Sequence, residues 1–180
     1  MMDTLITESY KQQLEALQNQ GKFNQGSKKL PLIKNFLEKY SPSSLLDYGC
    51  GHGGLIKEIE KSYPHIETCG YDPGNPNFST LPSKKFQSLI SLDVIEHFEP
   101  DYLESNLIQI RELAEKYLFL IIACYPASKK LPDGRNCHLI IQKPNWWKAK
   151  LDSVFSTANS IEYFVKKSKT RPEIVVTIEK

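Results

Sequence analysis

The sequence is short of the features that mark secreted, membrane-spanning or polyanion-binding proteins. Its four cysteines, Cys50, Cys69, Cys124 and Cys137, stand far apart with no C-x-x-C pair, which argues against a zinc knot or a redox dithiol and points to reduced thiols. Net charge is scarce as well. Lys and Arg number 23 against 21 Asp and Glu, a formal +2, so no whole-molecule field is available to hold duplex nucleic acid or a membrane surface. Long apolar runs are missing: Met1 to Gln20 interleaves polar and charged residues with apolar ones, offering neither a signal peptide nor a membrane span. There is no internal repeat or low-complexity tract. The expectation is a cytoplasmic, soluble protein whose 180 residues form one domain, long enough for a core without disulfides or metals. Nothing in the sequence sets an oligomeric state.

What is present reads as an alternation of helices and strands. Tyr10, Leu14 and Leu17 recur at helical spacing, and Gly21 to Ser27 interrupts them as a polar loop. Leu32, Ile33, Phe36, Leu37 and Tyr40 form a second helical stripe, opened by Pro31 and stopped by Ser41-Pro42. Leu45 and Leu46 then make a short buried strand ending at Asp47, followed at once by a glycine-rich turn from Gly49 to Gly54. Leu55, Ile56, Ile59 and Tyr63 predict a helix closed by Pro64, and Ile66 to Tyr71 a second strand ending at Asp72. The segment from Pro73 to Lys85 reads as irregular, with three prolines and a glycine. Phe86 to Leu92 is a strand. Pro100 opens a helix with Leu103, Leu107, Ile110 and Ala114 on one face, and Tyr117 to Cys124 is an apolar strand buried on both sides. A long loop from Tyr125 to Pro144, a helix holding Trp146 and Trp147, and two strands near Ile161–Val165 and Ile174–Ile178, close enough to pair antiparallel, complete the chain. The alternation implies a parallel sheet. Residues 1–43 are an N-terminal helical segment, 44–124 a ligand-binding core, and 125–180 a loop, helix and terminal strands.

The glycine turn carries the first chemical signal. Four glycines in six residues exceed what a plain strand-to-helix turn needs, and backbone without Cβ atoms at the carboxyl edge of a parallel sheet can approach a nucleoside closely. Gly49, Gly51 and Gly54 also fit the dinucleotide pattern G-x-G-x-x-G, with Asp72 at the distance of a ribose-binding acid. The flanking residues decide. Leu45-Leu46-Asp47-Tyr48-Gly49-Cys50-Gly51-His52-Gly53 resembles the first motif of class I S-adenosylmethionine-dependent methyltransferases. Gly70-Tyr71-Asp72-Pro73 is similar to the acidic end of that family's second strand, and Ser91-Leu92-Asp93-Val94-Ile95-Glu96-His97-Phe98 to its fourth-strand motif. A carboxylate at Asp47 suits a ligand bearing an ammonium and a sulfonium, and is poorly placed beside the pyrophosphate of NAD.

The resemblance spans roughly Leu32 to Val176. It implies a Rossmann-like α/β fold, a mostly parallel sheet with helices on both faces, to which this chain's own residues add an abbreviated third-strand region and an antiparallel C-terminal strand. It implies S-adenosylmethionine as cofactor, lying along Asp47, Gly49, Cys50, Gly51 and Gly53, with Asp72 and Pro73 at the ribose and Asp93 and Val94 at the methionine part. Cys50 itself is a small packing residue rather than a nucleophile, having no paired base. The interval from Asp72 to Phe86 is too short for the family's usual helix and third strand, so the resemblance assigns no residue to the adenine; Asn77 and Phe78 are guesses within that interval.

The acceptor is read from the loop from Tyr125 to Pro144. Lys129, Lys130, Arg135, His138 and Lys143 stand there against Asp133 alone, so the loop could grip a phosphate, carboxylate or nucleotide-linked sugar, with Tyr125, Arg135, Asn136 and His138 as the binding set. The bland alternative is a hairpin about Asp133-Gly134 that Arg135 and Asn136 merely brace. Methyl transfer from a sulfonium demands alignment rather than a metal. His138 is the first candidate for a base, with Asp93, Glu96 and His97 in reserve; Glu96 and His97 could instead serve the next helix's entrance. The functional expectation is a methyltransferase acting on a small-molecule acceptor. Its rivals are an NAD(P)-dependent reductase and a non-catalytic module that binds S-adenosylmethionine.

Overall fold

A computed structural model describes residues 5–21 and 26–180. Most of the polar loop expected over 21–27 lies outside the described residues; its end, Gly26–Lys28, is a single 3-10 turn. Helices α1 (Glu8–Asn19) and α2 (Leu30–Tyr40) precede strand β1 (Ser44–Tyr48). Next come α3 (Gly54–Ser62), β2 (Glu67–Tyr71), β3 (Phe86–Leu92), α4 (Leu103–Leu113) and β4 (Ala114–Ala123). Helix α5 (Pro144–Val154) and strands β5 (Ser160–Lys166) and β6 (Glu173–Glu179) end the chain.

The six strands form one sheet in the order β2-β1-β3-β4-β6-β5. The first four are parallel; β6 runs antiparallel between β4 and β5. No strand intervenes between Asp72 and Phe86 among the described residues, so β2 is an edge. Along β3 and β4, successive residues feed opposite layers, as a two-residue repeat requires. Leu89, Leu118, Leu120 and Ile122 join the core beneath α4 and α5, while Ile90, Leu92, Phe119 and Ile121 join the one beneath α2 and α3. Chain order reverses between β1 and β3, so a crevice opens at their carboxyl ends, where ligands bind in open α/β sheets.

Two local differences from the sequence reading have simple causes. Leu32 is 52% exposed: Ile33, Phe36, Leu37 and Tyr40 complete the buried stripe without it, and Leu32 stands about 100° off their face. Ala114 is the first residue of β4 rather than the last of α4, with extended dihedrals φ −90° and ψ 131°. The helix needs no loop there because Lys180 Nζ donates to the carbonyls of Arg111 and Ala114, both at 2.6 Å, serving the helix's C-terminal acceptors from elsewhere in the chain. Trp146 and Trp147 divide as neighbours on a helix must, Trp147 fully buried and Trp146 at the surface.

Helix α1 belongs to neither main layer. Capped by the Thr7 hydroxyl, it lies over the carboxyl end of the sheet and packs Tyr10 and Leu17 against Leu131 and Cys137 of the long loop. Tyr10 Oη donates to the His97 carbonyl at 2.6 Å, and Thr7 donates from both its amide and its hydroxyl to the Glu99 carboxylate. Among the described residues, no helix is long and apolar enough to cross a membrane.

Candidate active site

The turn after β1 and the turn after β3 meet at the crevice. Gly49 has φ +87°, and a Cβ there would fall 2.3 Å from Val94 Cγ2, so the close approach of the two turns depends on glycine. Gly53, φ +69°, is the residue before α3, and Phe78 packs over it where a side chain would stand. Asp93 is one of two non-glycine residues with positive φ among the described residues, at +56°. A strained backbone of this kind persists where surroundings over-determine it, commonly in a ligand site.

Asp72 locks the glycine turn. One carboxylate oxygen accepts from Gly51 N–H at 2.8 Å; the other accepts from Gly74 N–H at 2.9 Å and from Gln18 Nε2 at 2.8 Å. Asn75 completes the clasp, donating through Nδ2 to the Gly51 carbonyl at 2.7 Å. Burial pushes the Asp72 pKa up while those donors pull it back. Gly51 N–H, a natural partner for a pyrophosphate, is thus already spent on a carboxylate.

Beneath the turns lies a cavity of about 450 Å³, within the range of cofactor pockets. Asp47, Gly49, Cys50, Gly51, Asp72, Pro73, Asp93, Val94 and His97 line it, so most of the residues singled out in the sequence meet here. Gly53 shapes the turn without reaching the wall. Asp47 is 5% exposed and accepts no hydrogen bond among the described residues; burial raises its pKa to about 7, against the pull of Lys29. Burial likewise raises the Cys50 thiol, as befits packing rather than attack.

Lys29 and three residues of α1 are among the wall residues that were not foreseen. Lys29 Nζ lies 3.0 Å from an Asp93 oxygen and donates to the Leu92 carbonyl at 2.7 Å. Tyr10, Leu14 and Gln18 cover the cavity from α1. One signal for Lys29 was legible: lysines at 28 and 29 stand just before a helix, where the dipole disfavours cations unless something anionic answers them.

The loop residues divide. Lys129 lines the cavity, whereas Tyr125, Arg135, Asn136 and His138 are not on its wall. Arg135 is paired with Asp133 (Nη2 to Oδ2, 2.7 Å), and Asn136 both accepts from and donates to the Ala127 backbone. His138 stands behind His97, their rings edge-on at 4.7 Å. Glu96 does not face solvent at a helix entrance. It is wholly buried, accepts from Ala123 N–H at 3.2 Å, and is pushed by burial and by Asp93 to a pKa of about 8. Burial and the neighbouring His138 lower His97 to about 3, and burial also lowers His138; both imidazoles are neutral at physiological pH.

The donor set fits the cofactor implied by the motifs: carboxylates at 47, 72 and 93, one cation at 29, and glycine backbone between them. A family profile described as "Methyltransferase domain" matches residues 21–153. No curated protein matches the chain significantly. Among solved structures, the plantazolicin methyltransferase held with a triazolic desmethylPZN analog and S-adenosylhomocysteine is 10% identical, with 96% of this chain and 92% of that one covered and a TM-score of 0.64. The Synechocystis magnesium protoporphyrin IX methyltransferase with bound S-adenosylmethionine is 15% identical, covering 86% and 79%, TM-score 0.59. A Nostoc punctiforme protein provisionally assigned as an O-methyltransferase is 13% identical at TM-score 0.59, and there this chain spans 56% of the other's length. At these identities the structures establish the fold, and the profile over most of the chain establishes the family: this protein belongs to the methyltransferase-domain family and is a class I S-adenosylmethionine-dependent methyltransferase.

Proposed function

We propose that the enzyme methylates a small anionic acceptor, which enters the cavity from the side closed by α1 and the loop from Tyr125 to Pro144. The observation that carries this reading is that Lys28 and Lys129, as well as the Lys29 paired with Asp93, reach a cavity wall whose acids are Asp47, Asp72, Asp93 and Glu99, so cationic groups stand there for an anion although the chain as a whole has a formal charge of only +2. Bound S-adenosylmethionine supplies an electrophilic methyl on a sulfonium. The protein's share is to hold and align. Asp72 receives the ribose hydroxyls, Asp47 faces the cationic methionine end, and Lys29 pairs with the carboxylate there. Gly49 and Gly51 let backbone close on the nucleoside, and Leu5, Ile6 and Leu14 exclude water above it.

On this reading Tyr125, Arg135 and Asn136 shape the loop that presents Lys129, and His138 acts from behind His97. A hydroxyl acceptor passes its proton to Asp93 on the cavity wall, since burial makes the His97 imidazole a weak base. The test is release of S-adenosylhomocysteine with paired phosphorylated, carboxylated and neutral acceptors. Turnover should favour the anionic members, and Lys129→Met should raise their KM with less effect on kcat. Preference for the neutral member of each pair, unaltered by Lys129→Met, would oppose an anionic acceptor.

A further inference from the structure

Behind the cavity wall, three side chains converge whose combination the methyl-donor site does not require. Ligand atoms of Glu96, His97 and His138 all lie within 4.8 Å of one another. Glu96 comes from the 3-10 turn after β3 and His138 from the long loop, so two distant segments are folded onto one point.

The hydrogen bonds around this point leave a conflict. His138 Nδ1 lies 2.5 Å from the Tyr125 carbonyl, which can only accept, so Nδ1 carries the proton and the neutral ring presents a lone pair at Nε2. That lone pair faces Glu96 Oε1 at 3.9 Å, an oxygen that is itself an acceptor and already receives Ala123 N–H. Glu96 Oε2 is fully buried and has no hydrogen-bond partner. Buried polar atoms are almost always satisfied, and an orphaned carboxylate oxygen needs a reason. Something positive belongs among these acceptors.

We propose that Glu96, His97 and His138 bind a divalent first-row transition-metal ion at the edge of the cavity. Two imidazoles and one carboxylate suit zinc, iron or manganese better than magnesium or calcium, which prefer all-oxygen shells. The second nitrogen of His138 is arranged as a metal-bound histidine requires, donating Nδ1–H to the Tyr125 carbonyl; the His97 ring bonds the Cys137 backbone. Three protein ligands leave coordination positions open. Because His97 is also on the cavity wall, such an ion stands where an acceptor oxygen can reach it, and this role rests on the functional reading above. If occupied, the site would add a metal ion to a mechanism that the sequence reading took to need none.

A single proton on Glu96 would relieve the same conflict, and the experiment separates the two. Full-length protein is stripped with a chelator and titrated with Zn2+, Mn2+ and Mg2+ by calorimetry, and with Co2+ by visible absorption. The expected result is one equivalent of Zn2+ or Mn2+ per chain at micromolar affinity or better, weaker Mg2+, and Co2+ bands typical of mixed nitrogen and oxygen ligation. Glu96→Gln and His138→Gln should each weaken binding by at least about tenfold. S-adenosylhomocysteine titrated into the same samples shows that each variant is folded and reports on the cofactor site independently. No stoichiometric transition metal, or stoichiometric metal that both variants bind as tightly as the wild type, overturns the proposal and leaves the proton in its place.

Discussion

Asp47→Asn separates the cost of keeping a charge in the cavity from the benefit that charge gives to a cationic ligand. Burial raises the Asp47 pKa from its ordinary 3.8 to about 7, and at about 1.4 kcal/mol per unit the full cost of ionising it in the empty protein is about 4 kcal/mol. The folded state holds this proton more tightly than the unfolded chain does, so stability is lost as pH rises from 3.8 towards about 7 and is level above. Asparagine has the same shape and no such titration. The difference in unfolding free energy between variant and wild type should therefore grow in the variant's favour by about 2 to 3 kcal/mol between about pH 5 and about pH 8. Any cost of burying an unpaired amide is the same at both pH values and cancels. Urea denaturation of the ligand-free proteins at the two pH values measures the difference. The same variant should bind S-adenosylmethionine more weakly at pH 8, by about 1 to 3 kcal/mol, through loss of a charged partner. Parallel pH–stability curves for the two proteins would refute the assignment of a buried, cavity-facing carboxylate.

Asp72→Ala should weaken S-adenosylhomocysteine by about 1 to 3 kcal/mol in a calorimetric titration and, because it orphans Gly51 and Gly74 N–H, cost a similar amount of folding stability by urea denaturation. Gly49→Ala should destabilise by about 2 kcal/mol or more, from the Val94 clash and the positive φ together; adding Val94→Ala should restore part of that loss, in a double-mutant cycle that shows coupling. Lys29→Met, which removes the cation beside Asp93 and Asp47, should weaken S-adenosylhomocysteine roughly tenfold, or by about 1.4 kcal/mol. Unchanged affinity would show that the ligand's carboxylate is held elsewhere.

The strands and the turn were legible because their signals are local. Apolar runs of strand length at 45–46, 86–92 and 117–124, and the glycine cluster between 49 and 54, need no knowledge of distant residues, and β3 coincides with its expected span. The antiparallel pairing of β5 with β6 followed from their short connection. What stayed hidden was made by closure in three dimensions. Gln18 is an ordinary polar position on α1 until the helix folds over the crevice and sets its amide on Asp72. Asn75 lies in a segment legible only as irregular, and its bond to the Gly51 carbonyl depends on the turn that Asp72 begins. Glu96 could be read from its neighbours as a helix-entrance acid, yet the 3-10 turn from Ile95 to His97 points it inward against β4. The loop's net charge pointed to an anion, but sequence could not show that Arg135 is spent on Asp133 while Lys129 reaches the cavity.

A crystal structure of the protein with S-adenosylhomocysteine tests the central claim most directly. The account predicts the nucleoside along the Gly49–Gly53 turn beneath α1, its ribose hydroxyls on Asp72 in place of Gln18, and its methionine end between Asp47 and Lys29. Ligand density outside this cavity, or a ribose that leaves the Asp72–Gln18 contact intact, would contradict it.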